Sequence, residues 1–142
     1  MNNKIKILFL DIDGVLNSYR NAHSLESSSF YEKQKLELVK EIVKETDCKV
    51  VLTSMRLNFH DCKKDLTEGG LEIYDSLMVP FVFKDIAIQT WLKKHSDIEK
   101  YVILDDNFLE MFSDCFVITS SYYGLTKRKM NDVINIFNGV KN

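Results

Sequence analysis

Residues 4–17, KIKILFLDIDGVLN, end a short apolar run on two aspartates one residue apart, followed by glycine. A run this rich in Ile, Leu and Phe reads as a strand buried on both faces, the kind found inside parallel sheets. On an extended chain residues two apart share a face, so the side chains of Asp11 and Asp13 are expected close together at the strand's carboxyl end. Like charges at that range repel unless a proton or cation lies between them. A hard divalent ion such as Mg²⁺, which takes oxygen ligands, is the natural partner, and Gly14 lets the backbone turn beside it. An EF-hand loop opening at Asp11 needs a bidentate Glu where Ala22 stands, so that reading fails. A solvated turn after an edge strand also fits DxDG taken alone, and the rest of the chain has to decide.

The chain has 142 residues, enough for one domain, read as residues 1–142, with a real core. A net charge of −2 provides no global pull toward nucleic acid or membrane, so any basic surface must be local. Asp11 interrupts the opening apolar run too early for a signal segment or a membrane span, and a cytoplasmic location is expected. Cys48, Cys62 and Cys115 are widely spaced with no CxxC, which favours free thiols over a zinc site or a disulfide framework.

Along the chain, Ser18 to Tyr31 is polar and serine-rich and reads as a loop. Leu36, Val39, Ile42 and Val43 recur at helical spacing between Glu32 and Thr46. Lys49 to Thr53 reads as a second strand, ending in Thr53, Ser54 and Arg56. A helix is expected over Asn58 to Leu66, stopping by Gly69 and Gly70, and a strand over Leu77 to Val82. Lys84 opens a helical segment with Ile88, Trp91 and Leu92, and His95 reads as a helix-end residue rather than a ligand. Tyr101 to Leu104 is a strand ending in Asp105 and Asp106, and Cys115 to Thr119 another. Thr126 caps a last helix with Met130, Val133, Ile134 and Phe137 on its buried face, closed by Gly139. Strands alternating with helices predict a three-layer α/β domain, a mostly parallel Rossmann-like sheet with helices on both faces.

Ligands of such sheets bind outside the carboxyl ends of the strands, here the ends carrying Asp11, Asp13, Thr53, Ser54, Asp105 and Asp106. Carboxylates recurring at buried strand ends cost stability unless a shared cation compensates. Phosphoryl transfer through an aspartyl intermediate needs such a set. Asp11 is the candidate nucleophile. Asp13 is the candidate acid and then base. Thr53 or Ser54 would donate to the phosphoryl group, Lys84 would neutralise charge, and Asp105 and Asp106 would complete a metal site with Asp11 and Asp13.

These residues resemble the haloacid dehalogenase (HAD) superfamily of Mg²⁺-dependent phosphohydrolases. LDIDGVLN is similar to its first motif, VVLTS to its second, Lys84 to its third and ILDD to its fourth, in the family's order. LTSMR, KDIAIQTWL, YVILDDN and YYGLTKRKMNDVI look like the small cap-less HAD domains of Swiss Army Knife RNA repair proteins, with Met55 where Trp is usual and Lys127, Arg128 and Lys129 where acidic residues are common. The resemblance implies a HAD-like core with the first strand central, Mg²⁺ as cofactor, Asp13 offering its backbone carbonyl to the metal, and phosphoric monoester hydrolysis. Only the Ser18 to Tyr31 loop stands where larger relatives insert a cap. Such an open site is expected to accept bulky phosphates, from a phosphorylated small molecule to a nucleic-acid end.

Arg56 leaves the second motif toward the site and is a candidate phosphate ligand, with Gly14, or else pairs with a surface carboxylate. Lys127 to Lys129 are a solvated charge run or a guide for a polyanion. Tyr122 and Tyr123 are candidates for stacking a base. A receiver-type phospho-accepting domain uses similar residues in another order, and the acidic pair after Lys84 argues against it. A catalytically weak metal-binding or partner-binding domain on the same fold is the remaining alternative, and a monomer is expected.

Overall fold

The computed structural model describes residues 4–24, 29–58, 61–77 and 83–140. Five strands form one sheet in the order β3-β2-β1-β4-β5, and every pairing is parallel. They are β1 (Ile5–Leu10), β2 (Lys49–Leu52), β3 (Ile73–Ser76), β4 (Ile98–Asp105) and β5 (Phe116–Ile118), alternating with α1 (Lys33–Thr46), α2 (Cys62–Glu68), α3 (Lys84–Lys93) and α4 (Lys127–Phe137). β1 is central, as the resemblance implies.

Strand alternation splits the core in two. Leu8, Leu10, Val50, Leu52, Val102 and Leu104 face α1, α2 and α4, and Ile7, Phe9, Val51 and Ile103 face α3 through Ile88 and Trp91. The chain winds outward from β1 to β3 on one side and from β4 to β5 on the other. The β1/β4 boundary is therefore a topological switch point, where a crevice opens at the carboxyl ends. Residues 11–32 join β1 to α1 with a single short 3-10 turn at Ala22–Ser24 among the described residues, and no cap domain stands there. Also among the described residues, no helix is long and apolar enough to cross a membrane.

The helices follow their patterns. α1 starts one residue later than expected, with Glu32 as its N-cap. Thr126 caps α4, its side chain accepting from the Lys129 amide, and Met130, Val133 and Phe137 are buried. His95 sits just past α3, its Nδ1 2.7 Å from the Trp91 carbonyl and its ring stacked on Trp91. Cys48, Cys62 and Cys115 are free thiols.

Two expectations need correction. The helix expected over Asn58 to Leu66 begins at Cys62, after a 3-10 turn at Met55–Asn58. A strand that the sequence reading does not place runs at Ile73–Ser76, while the one expected over Leu77 to Val82 lies, beyond Leu77, outside the described residues. As an edge strand, β3 buries Ile73 and leaves Tyr74 and Ser76 exposed, so it lacks the apolar run that marks its neighbours. Finally, β1 stops at Leu10 and the chain turns over Asp13–Leu16, so strand alternation does not govern Asp13.

Candidate active site

Asp11 and Asp105 leave the ends of adjacent strands. The sheet pairing continues past β1, with the Asp11 amide donating to the Leu104 carbonyl (3.1 Å) and the Thr53 amide to the Leu10 carbonyl (2.9 Å). This registers three strand ends against one another. Carboxylate oxygens of Asp11, Asp105 and Asp106 all lie within 4.8 Å of one another, the first two buried and the third half-buried. Lys84, at the start of α3, reaches in from the other face. Its Nζ is 2.7 Å from Asp105 Oδ2 and 3.5 Å from Asp11 Oδ1. The Asn107 amide holds the other Asp105 oxygen (2.9 Å).

One lysine beside three carboxylates leaves excess negative charge in a poorly solvated place. Burial, followed by repulsion from Asp105, pushes the Asp11 carboxyl up to about 8. Burial, then the same neighbour, raises Asp106. Burial would lower Lys84, but the Asp11 and Asp105 charges outweigh it and raise its pKa. An all-oxygen donor set short of positive charge fits a hard divalent cation such as Mg²⁺. Since such an ion requires ionised ligands, its binding near neutral pH is expected to release roughly one proton. Affinity should rise about tenfold per pH unit until the Asp11 carboxyl ionises near 8, as calorimetry in buffers of different ionisation heat would measure.

Asp13 lies elsewhere. Its carboxylate accepts from Arg56 Nη2 (2.6 Å), Arg56 Nε (3.2 Å) and Asn17 Nδ2 (2.9 Å). Partial burial alone would raise its pKa, but the hydrogen bonds from Arg56 and Asn17 prevail and hold it below the ordinary carboxylate range. Asp13 is thus an ionised, forked partner of Arg56, and its side chain stands apart from the three-carboxylate cluster. Arg56 also passes 5.7 Å from the Phe30 ring centroid.

At the second strand the two hydroxyls separate. Ser54 Oγ accepts from the Arg56 amide (3.1 Å) and so shapes the turn after β2. Thr53 is fully buried, and its Oγ1 has no hydrogen-bond partner among the described residues. A buried hydroxyl left unpaired costs roughly 1–3 kcal/mol, so this one marks where an acceptor from outside the chain would sit.

Gly14 has φ of +81°, and a Cβ there would collide with the Asp106 carboxylate, so only glycine fits. Two residues given no role in the sequence analysis hold this turn, Asn17 at the end of LDIDGVLN and the distant Thr119. Asn17 accepts from the Gly14 amide (2.9 Å) and donates to Asp13 and the Phe30 carbonyl, while Thr119 Oγ1 donates to the Gly14 carbonyl (2.7 Å). The sequence signals for Asn17 are its place at the end of LDIDGVLN and an Asn in a tight turn; Thr119 is marked by neither. Beside the turn a cleft of about 340 Å³ is lined by Asp13, Tyr19, Phe30, Arg56, Asp106 and Ser121, among others. Lys127 and Arg128 are exposed in the first turn of α4.

A doubly wound parallel sheet with acidic strand ends converging at its switch point and no cap defines a minimal Rossmann-like domain of the HAD type. The chain belongs to the family described as the HAD domain in Swiss Army Knife RNA repair proteins, whose model matches residues 7–130. No curated protein and no solved structure matches it significantly.

Proposed function

We propose that this domain is a Mg²⁺-dependent phosphohydrolase acting through a phosphorylated Asp11. The observation that carries the reading is the buried cluster of Asp11, Asp105 and Asp106 against Lys84, with the unpartnered Thr53 hydroxyl on the neighbouring strand end. Asp11, Asp105 and Asp106 would hold the cation, which when bound supplies charge neutralisation for the phosphoryl oxygens.

An Asp11 oxygen attacks phosphorus as the ester oxygen departs, and Asp13 protonates that leaving oxygen. Asp13 then takes a proton from water as it attacks the acyl phosphate, which regenerates Asp11 and releases inorganic phosphate. Thr53 Oγ1 donates to a phosphoryl oxygen, and Lys84 offsets charge and favours the ionised Asp11 carboxylate, which burial and Asp105 oppose and a bound cation would complete. Acid action by Asp13 requires Arg56 to let go of it and the freed carboxylate to take up a proton from solvent before the ester oxygen departs, and a phosphate ester entering the cleft is a competing anion for that guanidinium. The absence of a cap favours bulky phosphates, nucleic-acid ends and nucleotides among them.

The Arg56–Asp13 pair also favours a second reading. If Arg56 stays on Asp13, the water step lacks its base and the domain retains the phosphoryl group, as a phospho-accepting or weakly catalytic domain would.

Thr53→Val tests the reading because it removes only the hydroxyl. Turnover is expected to fall about tenfold to a hundredfold, the loss of one hydrogen bond to a charged group, while the metal-free protein melts at the same or a higher temperature. Lower stability with turnover intact would make the hydroxyl structural and count against the site.

A further inference from the structure

Arg56 cannot be the group that aims Asp13 during the reaction, because it has to leave the carboxylate before Asp13 can act as an acid. A second partner is built to stay. Asn17 Oδ1 accepts from the Gly14 amide (2.9 Å), and its Nδ2 donates both to Asp13 Oδ1 (2.9 Å) and to the Phe30 carbonyl (2.8 Å). Turned over, this amide would set its NH₂ against the Gly14 N–H and its oxygen against the Phe30 carbonyl, so one orientation is enforced. The backbone around it is pinned as well. The Val15 carbonyl accepts from the Leu125 amide (2.8 Å), the Leu16 carbonyl from the Glu32 amide (2.8 Å) and the Gly14 carbonyl from Thr119 Oγ1 (2.7 Å). Arg56, by contrast, extends from the 3-10 turn at Met55–Asn58, and its side chain is 36% exposed.

The two oxygens of Asp13 are held unequally. Oδ1 receives Asn17 Nδ2 and Arg56 Nη2 (2.6 Å), whereas Oδ2 receives, among the described residues, a longer bond from Arg56 Nε (3.3 Å). When the guanidinium leaves, Oδ1 keeps the Asn17 bond and Oδ2 is released. The structure assigns Asn17 as the positioning residue for the proton transfer: it holds Asp13 Oδ1, so that Oδ2 carries the proton to the leaving group. This role rests on the phosphohydrolase reading and extends it to a residue outside the catalytic set. The proton on Oδ2 passes to the ester oxygen as the bond from the Asp11 oxygen to phosphorus forms and the P–O ester bond breaks, its electron pair departing with the alcohol. A neutral amide suits the task, since it donates to a carboxyl oxygen without drawing on the charge that strengthens a guanidinium–carboxylate pair.

The test measures pre-steady-state release of the alcohol, which reports the first step alone, by full-length protein in Mg²⁺. The substrates are phosphate monoesters graded from an activated nitrophenyl ester to simple alkyl esters. An activated phenol departs without a proton, whereas an alkoxide needs one, so only the alkyl esters depend on a well-aimed acid. Asn17→Ala is expected to slow the alkyl esters by about tenfold to a hundredfold and the activated ester by less than about threefold, with KM and calorimetric Mg²⁺ affinity retained. Asn17→Asp keeps the acceptor for the Gly14 amide and removes the donor. It should show the same selective loss, which covers the case of Asn17→Ala failing to fold. In protein carrying Asp13→Asn, adding Asn17→Ala should cost less than about a further twofold, because the two residues act as one unit. Equal losses on all esters, a change in KM alone, losses that multiply with Asp13→Asn, or no loss would overturn the assignment and leave Asn17 a structural part of the turn. A folded, Mg²⁺-binding wild type that releases neither alcohol nor phosphate from any ester overturns the phosphohydrolase reading and this role with it, so the two failures are distinguishable.

Discussion

Asp11→Asn is expected to abolish turnover, by at least about a thousandfold, while making the metal-free protein more stable. The two effects have one cause. Asp11 is buried beside Asp105, and its carboxyl titrates at about 8 in the fold against 3.8 for the free group. Between those values the native state holds a proton that the unfolded chain has released, so this group's stabilising contribution is complete below about 4 and is lost as pH rises through about 8. An amide cannot titrate. In chelator the variant should therefore match the wild type at acid pH and exceed it increasingly toward pH 8, by several kcal/mol at the top of that window. Adding Mg²⁺ should reverse the order by stabilising the wild type and leaving the variant little changed. Denaturant melts across pH, with and without metal, check this. A variant less stable than wild type at every pH would mean that the Asp11 charge is compensated within the chain.

Lys84→Met should carry the largest stability cost of any single change at the site. Asp105 is wholly buried, and its Oδ2 is 2.7 Å from the ammonium. Removing one member of a buried pair leaves the other charge uncompensated, at a cost of about 3–5 kcal/mol. The loss should be greatest at neutral and higher pH, and smaller in acid where the cluster takes up protons. Lys84 has a raised pKa, so its own contribution persists through neutral pH and is lost only above the ordinary lysine range. Mg²⁺ should restore much of the stability but not the turnover, because the cation replaces charge at the carboxylates without replacing a donor near the phosphoryl group. Equal losses with and without Mg²⁺ would separate the lysine from the metal site.

The elements legible in the sequence are those whose burial is extreme. β1, β2 and β4 sit inside a parallel sheet, so Ile7 to Leu10, Val50 to Leu52 and Val102 to Leu104 are apolar without alternation, and their ends stand out by charge or hydroxyl. α1 and α4 show because each buries one stripe against the sheet. β3 was hidden because this edge strand buries its first residue, Ile73, and leaves Tyr74 and Ser76 exposed, so it has no apolar run. The site divides in the same way. Residue types and strand ends pointed to Asp11, Lys84, Asp105 and Asp106, but not to where Asp13 goes, because the turn after Leu10 is set by Gly14, Asn17 and Thr119 across a separation of more than a hundred residues. Thr53 and Ser54 differ in that Ser54 accepts from the Arg56 amide in a local turn, whereas Thr53 Oγ1 is buried and unpaired among the described residues, a tertiary feature that no spacing rule encodes.

The most direct measurement is an acid quench during turnover of a radiolabelled phosphate ester in Mg²⁺, followed by counting label on the protein and treating it with hydroxylamine. Label that is bound to the chain, released by hydroxylamine and absent from Asp11→Asn is the expected result, since a carboxylate nucleophile leaves an acyl phosphate. Phosphate release with no label trapped on the protein at any quench time, or label that persists in Asp11→Asn, would contradict Asp11 as the group that takes the phosphoryl.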